Sequence, residues 1–381
     1  MADIRKQGKP RMARRRIVAA AAAAMGAPMV ASSRTPGPVT MRLQSTWSAR
    51  DIFHEYADDF ARKVNDVSGG ELKIEVLPAG AVAPPAGVLD AVSRGAVDGG
   101  HGMFVHHYHR HSALALWGSG PAFGMDANML LAWHRYGGGR ELLARVYASI
   151  GANVVSFPYG PMPTQPLGWF KRPVARVEDF KELKFRTDGI ASDLFAAMGA
   201  VPTAMPPGEA AAAMSRDQID AAELNNATSD SNLGMAEASK VCMLQSFHQN
   251  AEQFEILFNK TRFEALPARL QAVVEIAVEA ASADMSWKAI DRYSRDYFDL
   301  QRKGVKFYKT PDAVLQRQLD GYDEVAARRE QGNALFAEIQ ASQRLFAERV
   351  VRWERDTVVD RRPAYNHYFG PAGAARKPRT V

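Results

Sequence analysis

Gln165, Trp169 and Arg186 are residues whose types and spacing point to binding chemistry. An amide, an indole and a guanidinium brought together suit a small carboxylate. The guanidinium clamps such a group through two parallel N–H bonds, and the ring walls the pocket. The stretch 161–189 that carries them reads as two short strands, rich in aromatic and branched residues and bounded by Pro and Gly. Gln165 and Trp169 are an even number of residues apart, so on a strand they share a face. Arg186 follows on the next strand. The plainer reading pairs the Arg with a surface acid and puts the Trp in the core.

The elements that must position these groups are those of an α/β chain. At 381 residues the chain is long for one core and implies two domains. Residues 39–47 and 71–77 read as strands, 51–67 as an amphipathic helix and 88–94 as a short one. Residues 130–150 are helical with a break at Gly137-Gly138-Gly139, and 153–157 and 254–258 are strands. Long helical stretches cover 266–299 and 311–346, and the tail beyond Pro363 is polar. Alternating signals of this kind predict sheets with largely parallel strands. A gapless repeat runs through the chain: Pro85…Ser93-Arg94…Val97-Asp98-Gly99-Gly100 lines up on Pro207…Ser215-Arg216…Ile219-Asp220-Ala221-Ala222. The repeat predicts two lobes on one plan, with a ligand crevice at the carboxyl ends of their strands.

Charge narrows the function. The net charge is +6, but residues 1–34 hold eight basic residues and one acid. From 48 basic and 42 acidic residues, that leaves 40 against 41, so the body is near neutral and carries no electrostatic case for nucleic acid. Arg14-Arg15-Arg16 precede an Ala-rich apolar run, and Ala31-Ser32-Ser33 end it. This pattern predicts an export signal over 1–34, with the paired Arg favouring the twin-arginine route. A single cysteine, Cys242, excludes an internal disulfide and a Cys-based metal cluster. Five His lie between His101 and His111. They make a metal-scavenging protein the alternative function, although the segment presents no clean ligand face. No nucleophile elbow, zinc-protease helix or phosphate-cradling loop occurs, so the expectation is a binding protein and not an enzyme.

With the pieces placed, the chain resembles the periplasmic substrate-binding subunits of TRAP (tripartite ATP-independent periplasmic) transporters, in the branch of the 2-oxo acid and lactate binders. The resemblance is carried by Ser68-Gly-Gly-Glu-Leu-Lys-Ile-Glu-Val-Leu-Pro78, Asp98-Gly-Gly-His-Gly102, Pro121-Ala-Phe-Gly-Met125 and Tyr136-Gly-Gly-Gly139. Gln165-Pro-Leu-Gly-Trp-Phe170 and Pro207-Gly-Glu209 with Ile219-Asp-Ala-Ala-Glu223 complete it. It implies a two-lobed periplasmic-binding-protein-like fold with a ligand cleft between the lobes and a long connecting helix. The implied lobes are 39–160, then 161–255, then a return to the first over 256–369. Arg186 would take the ligand carboxylate. Gln165, Glu223, Gln249 and the backbone carbonyl of Leu224 would hold a Na⁺ or Ca²⁺ ion beside it. Trp169, His101 and Phe247 would line the cleft. Two departures stand out: Leu224 where the family commonly has Trp, and Phe247-His248-Gln249-Asn250 for the usual Trp-His-Glu-Pro. They imply a larger pocket for a branched or aromatic acid, and a more weakly held or monovalent ion. Implied partners are the membrane subunits of a TRAP transporter and a second copy of the chain.

Overall fold

The computed structural model describes residues 37–370 apart from Thr164. The expected export signal over 1–34, and the tail beyond Gly370, lie outside the described residues. Eleven strands appear among them: β1 (Val39–Ser45), β2 (Leu72–Leu77), β3 (Gly99–Met103), β4 (Val154–Tyr159), β5 (Gly168–Phe170), β6 (Lys184–Arg186), β7 (Val201–Thr203), β8 (Ala221–Ala222), β9 (Val241–Leu244), β10 (Phe254–Asn259) and β11 (Lys306–Lys309). They form two sheets, ordered β2-β1-β3-β10-β4 and β11-β9-β5-β8-β6-β7. Read from opposite ends, the two orders match strand for strand, with β11 added at one edge of the second.

The repeated sequence explains the match. Pro85–Gly87 and Pro207–Glu209 each make a 3₁₀ turn, followed by the six-residue helices Val88–Ser93 and Ala210–Ser215 and then by β3 or β8. Pro suits the start of each turn, because an N–H there has no intrahelical partner to lose. The aspartate ending each repeat does the same work twice. Asp98 Oδ2 accepts from Arg42 N at 2.8 Å, and Asp220 Oδ2 accepts from Lys184 N at 3.1 Å. Their own amides donate back to the Arg42 and Lys184 carbonyls. Each aspartate thus ties its strand to the one beside it, β3 to β1 and β8 to β6.

The sheets are more mixed than expected. β1, β2 and β3 run parallel, but β10 runs antiparallel to β3 and β4. In the second sheet β6 is parallel to β7 and β8, while β5 is antiparallel to β8 and β9. The reversed strands are the first ones laid down after the chain crosses between lobes, over 160–167 and 245–253. β11 also departs from the expected return of 256–369 to the first lobe: it pairs parallel with β9 in the second sheet. Four residues between two long helices give too little periodicity to read.

The helix Ala268–Arg302 spans 35 residues and connects the lobes. Its stripe Val274, Ala277, Val278, Ala281 and Met285 packs into the first lobe's core with Phe53, Tyr56 and Phe60 of the helix Ile52–Val67. Further along, Leu300 joins the core of the second lobe. The crossing at 245–253 is seated by a close backbone approach. Gly118 has φ +141°, and a Cβ there would collide with Glu252 Cα. We expect Gly118→Ala to cost more than about 2 kcal/mol. By thermal unfolding that is a fall of at least about 4 °C, and an unchanged melting temperature would show the crossing is loosely seated.

Candidate functional site

β6 and β8 lie side by side and parallel, with Arg186 opposite Ala222. Arg186 and Glu223 therefore emerge together from the carboxyl ends of neighbouring strands, where open α/β sheets bind ligands. Glu223 N donates to the Arg186 carbonyl at 2.9 Å. Arg186 Nη1 donates to the Glu223 carbonyl at 2.8 Å and lies 3.4 Å from its Oε2, while Nε donates to the Met205 carbonyl at 3.0 Å. Nη2 donates to nothing among the described residues. Arg186 is 7% exposed and Glu223 5%, so the pair is shielded from bulk water.

The two crossing segments add the rest. Gln165 comes from the first and Gln249 from the second, and both are buried. The side-chain oxygen of Gln165 faces only acceptors: Glu223 Oε1 at 3.1 Å, the Leu224 carbonyl at 2.8 Å, and the amide oxygen of Gln249, which is closer still. Four oxygens thus converge without a proton between them. Turned end for end, the Gln165 amide aims its nitrogen at Gln249 Oε1, Glu223 Oε1 and the Leu224 carbonyl, which meets part of the demand and leaves one of the three acceptors without a proton of its own. Its nitrogen carries two protons, and three acceptors face it. A hard cation among the four oxygens satisfies all of them, and an all-oxygen set with one carboxylate suits such an ion.

The other expected site residues are placed differently. β5 begins at Gly168, so Gln165 lies ahead of it and the shared strand face with Trp169 does not form. Trp169 is buried, and its Nε1–H goes to Asp230 Oδ2 at 2.7 Å. Trp169 and Phe247 do join Gln165 around a cavity of about 590 Å³, with Asp230, Tyr293 and Tyr297, but Arg186 and Glu223 are not in its walls. Leu224 packs its side chain into the second lobe's core, so only its carbonyl faces the site and its size does not widen the pocket. His101 is fully buried among Trp47, Tyr159 and Phe254, with Nδ1 3.2 Å from Ser45 Oγ and Nε2 unpartnered. Burial, with the nearby His54 and His106, pushes it down to about 3.

The other members of the His cluster point apart. His107 Nε2 pairs with buried Glu255 at 2.7 Å, His109 is exposed, and His111 caps Ala113 N. Among the described residues no group of three or more His, Cys, Asp or Glu is placed to hold a metal. That removes the structural support for the metal-scavenging alternative.

Two buried acids escaped the sequence reading. Asp230 is pushed up to about 7 by burial, against its bonds from Trp169 and the Asn225 and Asn226 amides. Glu252 is pushed up to about 8 by burial, with the charge of Glu223 adding to the effect. Glu252 Oε2 accepts from Ser119 Oγ at 2.9 Å, and Oε1 has no partner. Nothing in their sequence surroundings marks either one.

The comparisons agree with this architecture. Residues 43–331 match the model of the DctP family, bacterial extracellular solute-binding protein, family 7. The chain belongs to this family. A monocarboxylate 2-oxoacid-binding periplasmic protein of a Nostoc species is 27% identical over 321 residues, 83% of this chain and 86% of the relative. A TRAP transporter solute-binding protein from Bordetella bronchiseptica, solved as a dimer with copurified calcium and picolinate, matches with a TM-score of 0.82 at 26% identity. The match covers 90% of this chain and all of that one. Another, from Pseudoalteromonas atlantica with bound sodium and pyruvate, gives 0.79 at 28% identity, covering 87% and 99%.

Glu252 yields a pH prediction. Between its ordinary value of 4.5 and about 8, the native state keeps a proton that the unfolded chain has lost. Its contribution to stability is therefore lost as pH rises across that window. Glu252→Gln carries no such proton, so it should gain stability on the parent between pH 5 and pH 8. Urea unfolding at the two pH values measures this, and a constant difference would contradict it. His101, His106 and His134, all pushed down, act in the opposite sense and lower stability as pH falls below 6.5.

Proposed function

We propose that this protein is a periplasmic receptor that captures a small organic acid with a bridging cation and hands it to the membrane subunits of a TRAP transporter. The observation that carries the reading is the convergence of four oxygens, from Gln165, Glu223, Leu224 and Gln249, beside a buried guanidinium with an unused nitrogen. Arg186 takes one carboxylate edge of the ligand through that nitrogen. Glu223 orients Arg186 and supplies the only formal negative charge among the four. Gln165 and Gln249, each on a segment that crosses between lobes, tie the ion site to the hinge. When bound, the ion supplies a positive charge for the ligand's carboxylate and its neighbouring oxygen.

The ligand class follows from that pairing. A 2-oxo or 2-hydroxy monocarboxylate presents two adjacent oxygens to one ion, and a pyridine-2-carboxylate presents an oxygen and a ring nitrogen in the same relation. The acids held by the Pseudoalteromonas and Bordetella relatives are of these two kinds. Their ions, sodium and calcium, are both oxygen-seeking. One carboxylate and two neutral amides make a site of low charge, which favours a weakly held or monovalent ion. Closure is a hinge motion in which the acid prefers the closed state. The closed form is the one the membrane partner recognises. Binding and release of an unaltered acid is the whole activity, with no bond made or broken.

Arg186→Ala leaves a charged group without its partner, a loss of roughly 2–5 kcal/mol, so pyruvate affinity should fall more than about tenfold. Calorimetry checks this, and an affinity within about threefold of the parent, roughly 0.6 kcal/mol, would remove Arg186 from the site. Glu223→Gln keeps the shape and removes the charge. It should weaken pyruvate binding in a way that added calcium partly restores, whereas a loss indifferent to the cation would separate Glu223 from any ion.

A further inference from the structure

The helix Ile190–Ala197 begins four residues after Arg186 and carries Asp193. Facing it from the first lobe is Tyr108, in the turn after β3. Tyr108 Oη donates to Asp193 Oδ2 at 2.5 Å. Arg329, from the helix Asp312–Gly332, donates to the same oxygen at 2.5 Å, and its guanidinium lies 5.3 Å from the Tyr108 ring centroid. Arg317 of that helix donates to the Ala197 carbonyl at 2.5 Å. The helix Asp312–Gly332 thus grips Ile190–Ala197 at its middle and its C-terminal end, and Tyr108 reaches Asp193 from the first lobe, while Asn333 just past Gly332 donates to Ser112 Oγ at 3.1 Å. The lobes meet closely here. Gly189 has φ +60°, and a Cβ on it would collide with Val105 Cγ2.

We propose that Tyr108 and Asp193 form a latch across the cleft that holds the lobes closed, and that it sets how long a bound acid stays without touching it. The inference rests on the acid-binding reading above, because residence is the property it controls. The chain from ligand to latch is short: Arg186, then Thr187-Asp188-Gly189, then the helix bearing Asp193. Arg329 balances the carboxylate's charge and orients it. The hydroxyl is held as a donor, since burial and the Asp193 carboxylate push Tyr108 upward. A hydroxyl donating to a carboxylate is a stronger bond than one between neutral groups.

Tyr108→Phe removes only the hydroxyl. Stopped-flow fluorescence with pyruvate, sodium and calcium present should show release roughly ten times faster, the worth of one hydrogen bond to a charged group. Association should stay within about twofold, because losing one contact acts mainly on dissociation. A merely structural role would lower the melting temperature and slow association as well. In the double variant Tyr108→Phe/Asp193→Ala, release should be no faster than in Asp193→Ala alone, as for two halves of one bond. Asp193→Asn replaces Asp193→Ala if the latter melts early. Spin labels at Lys73→Cys and Lys181→Cys, in a background with Cys242→Ala to remove the native thiol, report the distance between lobes without any ligand. Tyr108→Phe should shift that distribution to longer distances. An unchanged release rate, or superimposable distributions, would overturn the latch. Should pyruvate not bind the parent at all, the acid-binding reading fails by itself, and the spin-label distances alone decide the latch.

Discussion

Acceptors that converge in a buried site need protons or a positive charge among them. That constraint governs the second lobe. Gln165, Glu223, Leu224 and Gln249 come from three separate segments, yet their polar ends converge, and even a turned Gln165 amide brings two protons to three acceptors. Arg186 meets part of the demand through its bonds to Glu223, but Nη1 and Nε are committed there and to the Met205 carbonyl. The unmet remainder is what an ion and an anionic ligand would share. Burial sharpens the demand, because an unpaired buried polar group costs far more than an exposed one.

The fold brings these groups together by using one plan twice. In each lobe an aspartate directly ahead of a strand ties that strand to its neighbour through the same backbone atoms. In the first lobe that places Ser45 beside His101. In the second it places Arg186 beside Ala222 and so next to Glu223. The chain crosses between lobes over 160–167 and 245–253, and it is these crossings that deliver the two glutamines. On the proposed reading, the oxygens that would hold the ion and the segments that join the lobes are the same pieces of chain, which would give binding a direct mechanical route to closure.

Much of this was legible in the sequence and some was not, for physical reasons. The repeat at Asp98 and Asp220 was readable because it is gapless and each copy must make the same bonds. The helix Ala268–Arg302 was readable from a long run with few helix breakers. The joining of Gln165 to Glu223 and Gln249 was not readable from spacing, since contacts between residues 58 and 84 positions apart leave no local pattern. It came from the resemblance to a family. A short strand holding both Gln165 and Trp169 would set the ring as a pocket wall beside Gln165, but β5 begins only at Gly168 and the indole donates to Asp230. Leu224 in place of the family's Trp suggests a smaller pocket wall, but beyond the two-residue β8 the sequence does not fix which way its side chain faces, and it packs into the second lobe's core. β11 was missed because four residues flanked by lysines show no alternation.

The central claim is that one cation and one small acid occupy the site together and depend on the same residues. Native mass spectrometry of freshly purified protein and of Glu223→Gln tests it most directly. The account predicts that the parent carries a mass increment equal to one sodium or calcium plus one small organic acid per chain, and that both parts disappear together in the variant. A parent that retains an acid with no cation, or a variant that keeps both unchanged, would contradict it.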